Sequence, residues 1–229
     1  VRVLAGGTLA RSYSNCISGG EILDTDATRG LLGLFLADGH LHRIRTPTRY
    51  RIRAVIEGSE GEIDFLDEKA AELRRYIPTT ATLRRYQTST RESGNRTTVC
   101  RLRVTSDALQ PIYNLLYPRR RRQVTQPALE LLGGRAAAWL WAENTRPLSS
   151  GSFLLKRVGS QEDEALLVAG WLRMLTGAQG EIWDQDPQQR LRQKPRLLFN
   201  QQQAAHLQTA LLPYAPVSRR SLFLPGGGQ

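Results

Sequence analysis

From Gly30 to Ala37 the chain carries no charged or polar side chain, and leucine or Phe35 fills five of the positions. A surface helix shows a polar stripe every 3.6 residues. None is present, so the segment predicts a helix buried on nearly all sides. It closes on Asp38-Gly39, a carboxylate in the last turn before the residue best able to take the left-handed conformation that ends a helix. Asp24, Thr25 and Asp26 precede it as N-cap residues. Beyond Gly39 the period changes from helical to alternating. Leu41 to Arg45 sets Arg43 and Arg45 on a common face, and Thr46-Pro47-Thr48 makes the turn. The next strand has Tyr50, Ile52, Ala54 and Ile56 on one face and Arg49, Arg51 and Arg53 on the other.

A helical stripe returns in Glu60–Ile77 with Ile63, Leu66, Ala70, Leu73 and Ile77, and its acids Glu60, Glu62 and Asp64 stand at the favourable N-terminal end. A second hairpin follows, Thr82–Arg91 and Arg96–Thr105 around the turn 92–95. Its return strand alternates Cys100, Leu102 and Val104 with Arg101 and Arg103, and Arg85, Gln87 and Arg91 share a face on the outgoing one. Ser106 caps a helix with Leu109, Ile112, Tyr113 and Leu116. The order over 26–117 is therefore helix–strand–strand–helix–strand–strand–helix. Residues 1–22 show no period and read as an N-terminal arm. Pro118–Pro127, with four consecutive arginines, reads as a linker that is solvated or touches phosphate without sequence preference.

After the linker the first pattern recurs. Ala136-Ala-Ala-Trp-Leu-Trp-Ala is again uncharged and leads to Glu143-Asn144 where the first copy has Asp38-Gly39, 105 residues earlier. Asparagine is the next most tolerant residue for a left-handed helix end. The rest is a shortened repeat. Phe153–Val158 predicts a strand carrying Lys156 and Arg157, and Ser160 with Asp163 opens a helix that ends at Gly177. Short strands near 181–185 and 196–199 flank a Gln/Pro-rich loop, and Asn200 caps a last helix with Ala204, Leu207 and Leu211.

Charge sharpens this picture. The 229 residues carry a formal charge of +11, and because Lys69, Lys156 and Lys194 are the only lysines, 29 of the 32 basic residues are arginine. Arginine is the side chain of bidentate contacts to phosphate and guanine, so the expected partner is nucleic acid. No long basic amphipathic helix and no apolar run of membrane-spanning length is present. Only Tyr50 and Tyr86 interleave with the arginines, too few to stack successive bases of a single strand. Cys16 and Cys100 match no metal spacing, and His40, His42 and His206 form no ligand cluster, which argues against zinc. No signal-peptide pattern is seen, so an intracellular location, bacterial cytoplasm or an organelle, is expected. Asp38 itself is the candidate for chemistry. A carboxylate at the negative end of a helix dipole is unfavourable unless a cation sits there, and a divalent metal ion is the expected one.

The stretch Leu31-Leu-Gly-Leu-Phe-Leu-Ala-Asp38-Gly39 resembles the motif of the LAGLIDADG homing endonucleases, of the double-motif, intron-encoded type. Gly33 falls where that family keeps a small residue for close helix packing, and Asp38 falls on its metal-binding carboxylate. The resemblance implies an α/β (α+β) fold of two pseudo-symmetric αββαββα halves, the second shortened, forming a saddle on the DNA major groove. The halves would be 23–117 and 132–224, joined by a basic linker at 118–131. It implies a monomeric, site-specific endonuclease in which Asp38 and Glu143 are catalytic and hold Mg2+, or Mn2+, with the backbone carbonyls of Ala37 and Ala142. DNA contacts are expected from Arg43, Arg45, Arg49, Arg51, Arg53, Arg85, Gln87, Arg91, Arg101, Arg103, Lys156 and Arg157. Pro213-Tyr214-Ala-Pro216 resembles the turn before a basic active-site residue in that branch, for which Arg219 and Arg220 are the candidates. Glutamate and asparagine depart from the motif at 143–144. That departure keeps open two alternatives on the same scaffold, an intron-RNA maturase and a non-cleaving DNA-binding regulator.

Overall fold

Two four-stranded antiparallel sheets with the same wiring, each backed by helices, make up the computed structural model, which describes residues 25–77, 84–92, 95–183 and 194–224. The expected arm at 1–22 and the tip of the second hairpin turn lie outside those residues. The first half runs α1 (Thr25–Ala37), β1 (His40–Arg45), β2 (Tyr50–Ser59), α2 (Ile63–Tyr76), β3 (Arg84–Glu92), β4 (Asn95–Ser106) and α3 (Gln110–Leu116). A short helix α4 (Gln126–Glu130) follows. The second half runs α5 (Gly134–Asn144), β5 (Thr145–Pro147), β6 (Phe153–Leu155), α6 (Glu162–Thr176), β7 (Glu181–Ile182), β8 (Leu197–Phe199) and α7 (Gln201–Leu211), then a 3-10 segment Val217–Phe223. The strand orders β1-β2-β4-β3 and β5-β6-β8-β7 are the same pattern repeated. Among the described residues no helix is long and apolar enough to cross a membrane.

The local signals behave as their chemistry requires. Ser106 Oγ accepts from the Ala108 amide, Asn200 Oδ1 accepts from Gln203 N at 2.9 Å, and Gly177 ends α6 at φ +76. Gly39 takes φ +84 behind Asp38, where a Cβ would also press on Ile56 and the Val55 carbonyl. Two elements go beyond the sequence reading. Helix α4, started by Thr125 Oγ1 accepting from Ala128 N, lies inside the expected linker, and β5 is a three-residue strand with no alternation to announce it.

Helices α1 and α5 pack directly on one another. A Cβ at Gly33 would stand 2.7 Å from Ala136 Cβ and 3.1 Å from its Cα, so only glycine admits this approach. Of the two tryptophans of α5, one reaches the first half and the other anchors the helix on its own sheet. Trp139 stacks on Phe65 of α2 at 5.4 Å, and Trp141 meets Phe153 and Phe199 of the second sheet, each at 5.6 Å. The result is one continuous apolar core.

Register decides which side chains share a face. In β2 against β4, Arg53 pairs with Thr105 and Ala54 with Val104, so odd positions lie together and even positions lie together. The two hairpins reverse that parity. Arg43 pairs with Ile52 and Arg45 with Tyr50, while His42 pairs with Arg53. In β3, Arg84 pairs with Arg103 and Tyr86 with Arg101, while positions 85 and 87 pair with Leu102 and Cys100. Ile52, Ala54, Ile56, Cys100, Leu102 and Val104 are buried under the helices; Arg51, Arg53, Arg101 and Arg103 are half-buried on the opposite, open side.

Candidate active site and nucleic-acid face

Because α1 and α5 are in register at Gly33 and Ala136, their ends bring Asp38 and Glu143 to one place. A third side chain lies between them. Lys69 of α2, 2 % exposed, sets its Nζ 2.7 Å from Asp38 Oδ2 and 2.5 Å from Glu143 Oε2. Asp38 is 6 % exposed, and Arg157 approaches its other oxygen at 3.9 Å. Burial, and then the neighbouring Asp38 charge, raise the Glu143 carboxyl above its ordinary value, with the Lys69 ammonium opposing them. The cation demanded by a carboxylate at a helix C-terminus is therefore supplied by the chain itself.

Sequence reasoning missed Lys69, and the signal was there. It lies at the phase of Phe65, Leu66, Leu73 and Ile77, on the buried stripe of α2, in a chain that otherwise uses arginine. A lysine in an apolar stripe must find partners, since an unpaired buried charge is prohibitively costly. Its Nζ also stands 4.4 Å from the centre of the Phe65 ring, with the Arg219 guanidinium 4.9 Å from the same centre. Arg219 is ion-paired to Glu62, and the Val217 and Ser218 amides donate to Glu68, which fastens the C-terminal 3-10 segment to α2. Of the two basic residues expected near the site, Arg219 is thus held beside Phe65 and Arg220 is exposed.

Two further groups fix the helix ends. Arg122, from the arginine run, donates through Nη2 to the Phe35 and Leu36 carbonyls at 3.0 and 2.9 Å, and through Nη1 to Gly39 O at 3.4 Å. Phe35 and Leu36 carry carbonyls that an α-helix leaves without partners at its C-terminus, so this half-buried arginine caps α1. Asn144 departs from the expected left-handed end: its φ is negative, it closes α5, and its Nδ2 reaches across to the Ala37 carbonyl at 2.8 Å. The amide thus ties the two motif helices together where the first copy has glycine.

The donors suit a hard cation. Asp38 and Glu143 offer carboxylate oxygens, the type that Mg2+ takes, and both already converge on one positive charge. The Ala37 carbonyl keeps a second lone pair beyond its Asn144 bond. Among the described residues no group of three or more His, Cys, Asp or Glu side chains is placed to hold a metal. The fit is to a carboxylate pair, not to a larger cage.

The open face of the first sheet carries Arg51, Arg53, Arg101 and Arg103, and the register adds His40, His42, Arg84 and Tyr86, which the sequence reading left out. Arg51 pairs with Asp107 at 3.2 Å, as does Arg49 at 2.7 Å; Arg101 pairs with Glu57, and Arg103 lies over the Tyr86 ring at 5.2 Å. Arg43 and Arg45, and positions 85, 87 and 91, belong by pairing to the other face. Arg43 and Arg45, which the sequence reading set beside Arg51 and Arg53 as DNA contacts, therefore lie on the opposite face from them, because each of these two hairpins pairs odd positions of one strand with even positions of the next. Arg43 packs on Tyr50 at 4.2 Å, and Gln87 Nε2 lies 3.8 Å from the buried Cys100 Sγ. Burial, and then Arg146, Arg196 and Arg157, lower the Lys156 ammonium, marking a basic cluster on the second sheet. His40 lies beside Arg122; burial and then that guanidinium hold its imidazole below the ordinary value.

No family model matches the sequence, and no curated protein does either. Solved structures do resemble it. The homing endonuclease I-WcaI bound to its DNA recognition sequence is similar with a TM-score of 0.65 over 88 % of this chain and 87 % of that one, at 13 % identity. Mesophilic variants of the homing endonuclease I-DmoI are similar with a TM-score of 0.56 over 86 % of this chain and 97 % of theirs, at 16 % identity. With the paired sheets, the packed motif helices and the converging acids, these likenesses give this chain the fold of the double-motif LAGLIDADG homing endonucleases.

Proposed function

We propose that this chain is a monomeric, site-specific endonuclease that hydrolyses phosphodiester bonds in both strands of a DNA duplex, inside the cell, with Mg2+ or Mn2+ held by Asp38 and Glu143. One observation carries the reading: two carboxylates, one from each motif helix, meet in a buried place where a positive charge is already seated. The Ala37 and Ala142 carbonyls would complete the ligand set. A divalent ion there supplies an activated water and offsets charge on the leaving oxygen. Asp38 and Glu143 fix its position, Arg122 and Asn144 hold the helix ends that carry them, and burial excludes bulk water. Arg51, Arg53, Arg101 and Arg103, with Lys156 and Arg157 of the second half, supply phosphate and base contacts.

The non-cleaving regulator remains the second reading, and Lys69 favours it, since an internal ammonium satisfies both acids without any metal. The discriminating experiment selects a binding site from random duplexes and incubates it with the protein in Mg2+ and, as control, Ca2+. Cutting of both strands in Mg2+ supports the endonuclease. Tight binding without a cut supports the regulator, and stronger retention of structured RNA supports the maturase.

A further inference from the structure

Both carboxylates of the acid pair share one positive charge from the chain itself. Lys69 Nζ lies 2.7 Å from Asp38 and 2.5 Å from Glu143, with Lys69 and Glu143 on packed helices, Asp38 directly after α1, and Lys69 2 % exposed. Two carboxylates brought this close in a buried site repel each other, and one shared ammonium removes most of that repulsion. A divalent ion bound by the same two oxygens would occupy the point where the ammonium now sits, so the two compete for those oxygens. From its present place Nζ also touches an aromatic surface: the Phe65 ring centre is 4.4 Å away, Trp139 stacks on that ring, and the Arg219 guanidinium lies 4.9 Å from the same centre. An aromatic face is attractive to an ammonium. We propose that Lys69 is a resident counter-cation of the acid pair, which holds Asp38 and Glu143 together in the metal-free protein and must leave them before a divalent ion can bind. This rests on the reading of Asp38 and Glu143 as cation ligands. On this account Lys69 is a positioning residue: it keeps the site assembled while no metal is present and sets the metal concentration at which the site fills.

The test is Mn2+ binding, followed by electron paramagnetic resonance and by calorimetry, in the parent and in Lys69→Met, which keeps the stem and removes the charge. The expected result is at least tenfold tighter Mn2+ binding by K69M, together with a lower melting temperature in chelator that added Mg2+ restores. Equal or weaker binding by K69M overturns the proposal while leaving the acids as metal ligands. Failure of both proteins to bind overturns the ligand reading as well. Should K69M not fold, the parent still decides. Its three lysines give three side-chain 15N signals, and the Lys69 signal must move as Mg2+ saturates the site. Saturation seen by calorimetry with that signal unmoved overturns displacement.

Discussion

A single ammonium sets the electrostatics of the site. Glu143 has its carboxyl raised by burial and by Asp38, against the pull of Lys69. For an acid raised in the folded state the linkage runs one way: its contribution to stability is full below the ordinary value of 4.5 and is lost as pH rises through the raised value. Glu143→Gln fixes the neutral form. Urea unfolding in chelator should therefore show E143Q gaining on the parent as pH rises from about 4.5, with the difference levelling off above the raised value. A difference that stays constant, or shrinks with pH, would mean that the Lys69 pairing outweighs burial. At this scale the sequence was only half legible. Asp38 at a helix end called for a cation, but its source lay 31 residues away in a helix whose stripe reads as ordinary core. Arg122 was hidden for the opposite reason, as one of four arginines that look alike until one is folded under a helix.

The elements were more legible than their faces. Every long element of the first half follows from period, caps and turn residues, because those signals are local. Face assignment is not local: the turn between Arg45 and Tyr50 fixes which positions oppose each other, and the pairing places Arg43 with Ile52, away from Arg53. Helix packing joins distant parts of the chain, Gly33 of α1 and Ala136 of α5, but it hangs on one small residue that the sequence shows. Gly33→Leu forces a side chain against the Ala136 backbone, and overpacking of this kind costs ~1–3 kcal/mol. Gly170, in α6 with open space around it, is the control. Gly170→Ala should stabilise by about 0.5–1 kcal/mol through helix propensity alone. Denaturant melts of the two variants should move in opposite directions. If G33L melts with the parent, α1 and α5 do not meet at this seam.

At the scale of the whole molecule the chain carries +11, the open face of the first sheet presents Arg51, Arg53, Arg101 and Arg103, and the acid pair stands at the junction of the halves. For about six neutralised phosphates, DNA affinity should fall with a log–log salt slope near −5. Arg53→Ala with Arg103→Ala, on the open face, should weaken binding and flatten that slope by about two contacts. Arg43→Ala with Arg45→Ala, on the other face, should change it less. Equal losses from both pairs would contradict the register-based assignment. The central claim, that the acids cut what the arginines hold, is tested most directly by one comparison on the selected duplex in Mg2+: strand cleavage and binding affinity for the parent and for Asp38→Asn. The account predicts that the parent cuts both strands, while D38N binds at least as tightly and cuts neither at a measurable rate. A parent that leaves the bound duplex intact, or a D38N that cuts as fast as the parent, would contradict it.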